Sequence, residues 1–327
     1  MSLPPLFDSL RAPIIAAPLF LISNPDLVIA QCKAGIVGSF PSLNARPVEL
    51  LDLWLMRITG ELDRYSNANP DQPAAPYAVN QIVHKTNERL WEDVEVCVKH
   101  KVPIIITSLG ARPELNDAIH EYGGIVLHDV INNRFARKAI EKGADGLIAV
   151  AAGAGGHAGT LSPFALVQEI RQWFDGPLIL SGSIATGGAV LAAEAMGADL
   201  AYIGSPFIAT EEANASDTYK QMIVDCSADD IIYSNLFTGV YGNYLKPSIA
   251  AQGLDPDNLA QGDLSTMKFS SGSGSKSRAW KDILGSGQGI GAVQKIVPAT
   301  ERVLDLIDQY KAAATRMGVA TYPRHGS

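Results

Sequence analysis

The chain has 327 residues, of which 47% are hydrophobic and 18% charged, and a formal net charge of −8. That suffices for one large α/β barrel with additions or for two medium domains. The acidic balance, with no basic cluster denser than Lys99-His100-Lys101, argues against nucleic acid and against an anionic membrane surface as partners.

From the N-terminus, 12–17 (APIIAA) reads as a buried strand that exits through Pro18-Leu19-Phe20. The apolar run 14–22 is short and holds Pro18, so neither a signal peptide nor a membrane span is expected. Asn24-Pro25-Asp26 starts a helix that Gly35 stops. A second strand is expected over 36–40, a helix over 48–62, and a proline-rich surface loop over 66–76. The third strand, 77–83 (YAVNQIV), carries the polar pair Asn80-Gln81. Further strands are expected over 103–109, 125–130 (with His128), 144–152, 177–181 and 199–203. Helices are expected between them over 87–99, 113–122, 132–142, 163–174 and 189–196. Eight strands alternating with helices is the pattern of a (β/α)8 barrel, and no strand–GxGxxG–helix unit favours an open doubly wound sheet.

The rhythm breaks after about Glu211. The spacing predicts barrel elements over 1–212, an inserted lid of short helical and irregular pieces over 213–285, and a closing segment over 286–327 with its helix from 292 to 317. The run Ser270 to Ser275 reads as a mobile loop. Cys32, Cys97 and Cys226 are far apart and form no CxxC or Cys/His cluster, so no disulfide framework or metal site is expected, and a reducing, cytoplasmic setting fits.

Chemistry concentrates at 147–160 (LIAVAAGAGGHAGT), an uncharged apolar run followed by glycines and one imidazole, His157. A histidine just past the C-terminal end of a buried strand is placed as an acid–base group would be in a barrel. A helix-capping histidine in a glycine turn is the competing reading. Gly182-Ser183 and Gly204-Ser205 follow the seventh and eighth strands, where barrels grip phosphate with backbone N–H groups. Asn80, Gln81, His128 and His157 are all expected to face one mouth, with no carboxylate pair among them, which disfavours glycosidase and metal-hydrolase chemistry. Amides and imidazoles suit a ring of alternating donors and acceptors such as a flavin. A backbone-satisfied core amide and core histidine remain the alternatives for Asn80 and His128.

In these motifs the chain resembles the nitronate monooxygenases, FMN-dependent TIM-barrel enzymes. The resemblance is carried by Ala17-Pro18-Leu19, Val79-Asn80, Ala154-Gly155-Gly156-His157-Ala158-Gly159, Ser181-Gly182-Ser183-Ile184, Ile203-Gly204-Ser205-Pro206-Phe207 and Gly287-Gln288-Gly289-Ile290-Gly291. It implies that Ala17, Pro18 and Leu19 lie against the isoalloxazine and that Asn80 and His128 bond its polar edge. It places Gly182, Ser183, Gly204 and Ser205 on the FMN phosphate, and Gly156, Gly287, Gln288 and Gly289 beside the flavin. His157 is then the acid–base group near flavin N5. The chain departs from the family in Leu19, where methionine is usual, in Ser183, where glycine is usual, and in Leu284, where an aromatic residue is usual.

The implied reaction is oxidative denitrification of an alkyl nitronate, or of a nitroalkane, with O2 to a carbonyl compound and nitrite. The implied partners are small molecules, with a homodimer compatible. The alternative is an NAD(P)H:quinone-type flavin reductase, with Tyr241 and Tyr244 facing the second ring and Lys246 a cofactor phosphate. A flavin-free barrel lyase or isomerase holding a substrate phosphate is a third.

Overall fold

The computed structural model describes residues 3–262 and 282–322. The Ser270 to Ser275 run lies outside the described residues. In chain order the first elements are β1 (Ile14–Ala16), α1 (Pro25–Ala34), β2 (Gly38–Pro41), α2 (Val48–Ala68), β3 (Tyr77–Ile82), α3 (Leu90–Lys99), β4 (Ile104–Ser108), α4 (Pro113–His120), β5 (Ile125–Val130) and α5 (Asn133–Glu141). Then come β6 (Gly146–Val150), β7 (Gly156–His157), α6 (Pro163–Arg171), β8 (Leu178–Ser181), α7 (Gly187–Met196), β9 (Leu200–Ile203), α8 (Ser205–Ile208), α9 (Asp217–Asp225), β10 (Ile231–Ser234), β11 (Gly242–Leu245), α10 (Lys246–Ala250) and α11 (Ala299–Met317).

Eight parallel strands run in the order β1-β9-β8-β6-β5-β4-β3-β2. A parallel bridge between Ile15 and Val37 joins the two ends, with the Ala16 N–H donating to the Val37 carbonyl at 2.8 Å. The sheet is therefore a closed (β/α)8 barrel.

Strand alternation divides the apolar side chains between two layers. Ile15, Ala78, Ile106, Leu127, Ile148 and Ile179 fill the barrel interior. Ile14, Leu147, Ala149 and Leu180 face the helices on one side, and Val79, Ile105 and Val126 on the other. The strands are buried on both faces, which is why they read as unbroken apolar runs. Local chemistry sets the helix ends. Asn24 accepts the Leu27 N–H at 3.1 Å to begin α1, and Gly35 ends it at φ +99°.

Three expectations are corrected. Helix α2 runs on to Ala68, six residues past the expected end at 62, because its buried stripe of Leu51, Leu55, Ile58 and Leu62 continues into a Ser66 turn bonded to the Leu62 carbonyl. The closing helix begins at Ala299 rather than at 292; residues 288–292 are a 3-10 turn. Residues 231–245 are more regular than expected: β10 pairs antiparallel with β11, and β11 pairs with the two-residue β7. Two residues are too short to signal a strand in sequence; only the partner defines them.

Candidate active site

One cavity of about 2250 Å³ opens at the C-terminal ends of the barrel strands. Its walls come from the exits of β1 to β6, β8 and β9, from residues 214–244, and from residues 283–289. Of the residues singled out in sequence, Ala17, Pro18, Leu19, Asn80, His128, Gly156, His157, Gly182, Ser183, Gly204, Ser205, Gly287 and Gly289 all line it. Gln288 does not; its backbone N–H instead donates to the Gly153 carbonyl at 2.9 Å.

That carbonyl is the junction of three loops. It also accepts the Ser183 N–H at 3.2 Å, while the Gly287 N–H donates to Ser205 Oγ at 2.8 Å. The exits of β6, β8 and β9 are thereby fastened to the last glycine motif. Their contact depends on missing side chains: a Cβ on Gly155 would stand 2.8 Å from the Gly287 nitrogen, and one on Gly182 2.7 Å from the Ala152 carbonyl oxygen. Gly156 differs. Its φ is +66° and a Cβ there would meet nothing within 4 Å, so its missing side chain leaves free space on the cavity wall.

His157 sits on β7, opposite Gly242 of β11. Its Nε2 lies 3.2 Å from Thr238 Oγ1, and that hydroxyl donates to the Val240 carbonyl at 2.8 Å. The imidazole is thereby tied to the turn between β10 and β11. Burial pushes the imidazole pKa down to about 4, so the ring is neutral near pH 7. The neutral form is the one that can take a proton.

The expectation that four polar side chains share one mouth needs correction. Gln81 is buried on the opposite strand face from Asn80, among helices: its Oε1 is 2.9 Å from Ser42 Oγ and its Nε2 3.4 Å from Cys97 Sγ. His128 borders the cavity but shares the helix-facing side of β5 with Val126 and Val130. Its Nδ1 meets Thr107 Oγ1 at 2.5 Å, and burial together with the Lys142 charge lowers its pKa to about 4. Strand alternation turns Asp129, its neighbour, into the barrel.

Asp129 is the residue that sequence reasoning passed over. Asn80 Nδ2 donates to Ser108 Oγ at 2.8 Å, and Ser108 Oγ donates to Asp129 Oδ2 at 2.6 Å. Asp129 Oδ1 and the Tyr202 hydroxyl are shut off from solvent and have no hydrogen-bond partner among the described residues. Burial raises the Asp129 carboxyl to about 7 against the smaller opposing effect of Ser108. The signal was present in the sequence: Leu127 and Asp129 are two apart on one strand.

The β10–β11 hairpin supplies Leu236, Phe237, Thr238, Val240, Tyr241 and Tyr244 to the wall. Tyr241 stacks on Tyr233 with centroids 5.0 Å apart, and Tyr233 donates to the Ala158 carbonyl at 2.9 Å. Lys246 is not on the wall; its Nζ lies 3.3 Å from Asp257 Oδ1. Among the described wall residues the acidic one is Asp129, whereas Arg46, Arg112, Lys138 and Lys142 are cationic.

The nitronate monooxygenase family model matches residues 5–309. A nitronate monooxygenase of Paraburkholderia phytofirmans is 25% identical over 292 residues, with 75% of this chain and 76% of that protein covered. A putative monooxygenase of Mycobacterium tuberculosis is 25% identical, with 66% of this chain matched and only 61% of that protein spanned. A solved nitroalkane oxidase from Streptomyces ansochromogenes superposes with a TM-score of 0.79 over 96% of this chain and all of that one, at 21% identity, a likeness of fold. A family match along nearly the whole chain, on a closed barrel with its histidine and glycine loops at one mouth, makes this protein a member of the nitronate monooxygenase family and an oxidoreductase of that type.

Proposed function

We propose that the protein is an FMN-dependent enzyme that oxidises alkyl nitronates with O2 to a carbonyl compound and nitrite, with His157 as acid–base residue. Family membership implies a flavin. The residues present fit one: a glycine wall with room at Gly156, two buried oxygens awaiting partners, and an apolar flank at Ala17, Pro18 and Leu19. The carrying observation is that His157 and both Gly-Ser exits line the same cavity.

In this reading Gly182, Ser183, Gly204 and Ser205 hold the phosphate, and Gly287 and Gly289 close the wall behind it. Asn80 meets the ring's polar edge, and His128 supports that edge from the outer side of β5. When bound, FMN supplies the redox chemistry between the substrate carbon and oxygen. The protein orients the substrate, excludes water and moves a proton. A neutral nitroalkane must lose its α-proton, and the neutral His157 imidazole accepts it. A preformed nitronate needs no such step.

His157→Asn is therefore expected to lower nitroalkane turnover by about 100-fold or more, the usual worth of a general base, and to lower nitronate turnover far less. Equal losses on both substrates would remove the base role. The visible spectrum of the purified protein, with identification of the released cofactor, tests the FMN assignment: a colourless protein that takes up no FMN sinks it.

A second reading is favoured by the charge of the wall. Among the described wall residues, four cations against one carboxyl suit a phosphate-bearing cosubstrate such as NAD(P)H. Anaerobic mixing with NADH and NADPH decides between them: rapid bleaching of the flavin supports a reductase, and no bleaching supports the oxygen-dependent reading.

A further inference from the structure

We propose that Asp129 meets the bound flavin as a neutral acid, donating its proton from Oδ1 to an acceptor on the ring, with the Tyr202 hydroxyl as a second donor beside it. The proposal rests on the flavin reading above. The geometry fixes the direction of the chain of bonds: Asn80 donates to Ser108, and Ser108 donates to Asp129 Oδ2. Every proton in that chain points toward the carboxyl, so Oδ2 is supplied and Oδ1 is the remaining valence.

Charge around the carboxyl agrees. Ser108 on β4 and Tyr202 on β9 are the polar groups facing it. Ile148 and Val150 of β6 are apolar members of the same interior layer. His128, next in the chain, turns to Thr107 and Lys142 on the other face of β5. Among the described residues no cation forms an ion pair with Asp129. A buried carboxylate with one hydrogen bond and no counter-charge is costly, and protonation relieves it. Burial accordingly carries its pKa to about 7. The neutral acid then has a proton to place: Asp129 lines the cavity, and Oδ1, shut off from solvent, is its unpartnered oxygen. A flavin offers carbonyl and ring-nitrogen acceptors, and a donor opposite them binds it.

The sign of the pH effect follows. Ligand that accepts this proton binds the acid form and loses affinity as the carboxyl ionises, by up to tenfold per pH unit above its titration. The FMN phosphate also titrates, near pH 6, so each variant is read against wild type at the same pH. The test is the FMN dissociation constant of the holoprotein, from fluorescence of the released flavin, between pH 6 and 9. Wild type is compared with Asp129→Asn, which keeps a donor at all pH values, and with Asp129→Leu, which has none.

Wild type is expected to weaken relative to Asp129→Asn by about tenfold or more between pH 7 and 9, and Asp129→Leu to bind weakly throughout. A wild-type to Asp129→Asn ratio that stays constant, or that moves toward tighter wild-type binding at high pH, overturns the donor role while leaving the flavin reading intact. A protein that takes up no FMN at any pH overturns both. Should Asp129→Leu fail to fold, the Asp129→Asn comparison still decides.

Discussion

His157 and Asp129 are displaced by burial in opposite directions along the pH scale, and the consequences differ. The imidazole, held at about 4, is unprotonated throughout the neutral range and gains its proton only on acidification. Turnover of a neutral nitroalkane is therefore expected to stay level from pH 8 to about 5 and to fall as pH drops through about 4. With preformed nitronate that acid limb should shrink or vanish. A limb centred near 6.5 for the nitroalkane would mean that the ring is solvated during catalysis. Stability follows the same linkage. His128 and His157 have folded pKa values below their unfolded ones, so they favour the fold above about 6.5 and cost stability as pH falls toward 4. Asp129 works the other way: its raised pKa favours the fold in acid and costs stability as pH rises toward 7. Asp129→Asn should accordingly raise the melting temperature more at pH 8 than at pH 5, which thermal denaturation at the two pH values checks.

Between elements, the glycines divide into those that hold the site and those that hold the barrel. Gly155 lets the β6 exit lie against residues 286–287, where an added Cβ would press on backbone atoms at 2.8 and 3.0 Å. Gly187, at the start of α7, lets that helix cross α11; a Cβ there would stand 2.1 Å from the Tyr310 nitrogen and 2.4 Å from the Leu306 carbonyl oxygen. Each alanine substitution is expected to cost about 1–3 kcal/mol, the usual range for overpacking. The two should separate on cofactor retention. Gly155→Ala distorts the cavity wall and is expected to release FMN; Gly187→Ala lowers the melting temperature and leaves the FMN content of the folded fraction unchanged. Loss of FMN from both variants would mean that the loops have no mechanical independence from the helical layer.

For the molecule as a whole, the distribution of charge matters more than its sum. The chain carries a net charge of −8, yet its described cavity wall holds Arg46, Arg112, Lys138 and Lys142 against one carboxyl, that of Asp129. Lys142 is fixed there by its bond to the Ala111 carbonyl at 2.7 Å, beside Arg112. A focused positive field inside an acidic protein draws an anion to the mouth, and salt weakens it. The KM for an anionic nitronate should therefore rise as ionic strength goes from about 0.01 to 0.15 M, over which the screening length falls from about 30 to about 8 Å. The KM for a neutral nitroalkane should not move. Parallel behaviour of the two substrates would show that the four cations play no part in capture.

The barrel was legible because its cause is local. Strands buried on both faces must be apolar runs, as at 103–109 and 144–152, and the glycine and asparagine punctuation between them follows from backbone conformation alone. The Gly-Ser exits and His157 were legible too, since a residue just past a strand end has one mouth to occupy. The facing of strand residues was decided by the closed barrel. Asn80 enters it while Gln81 leaves, and Asp129 enters it while His128 turns outward, because a one-residue step reverses the side of the sheet. The two-residue strand at His157 and the pairing of its Nε2 with Thr238, 81 positions away, exist only through a distant partner. Local sequence can specify a backbone state; the company a buried group keeps is set by how the whole chain closes on itself.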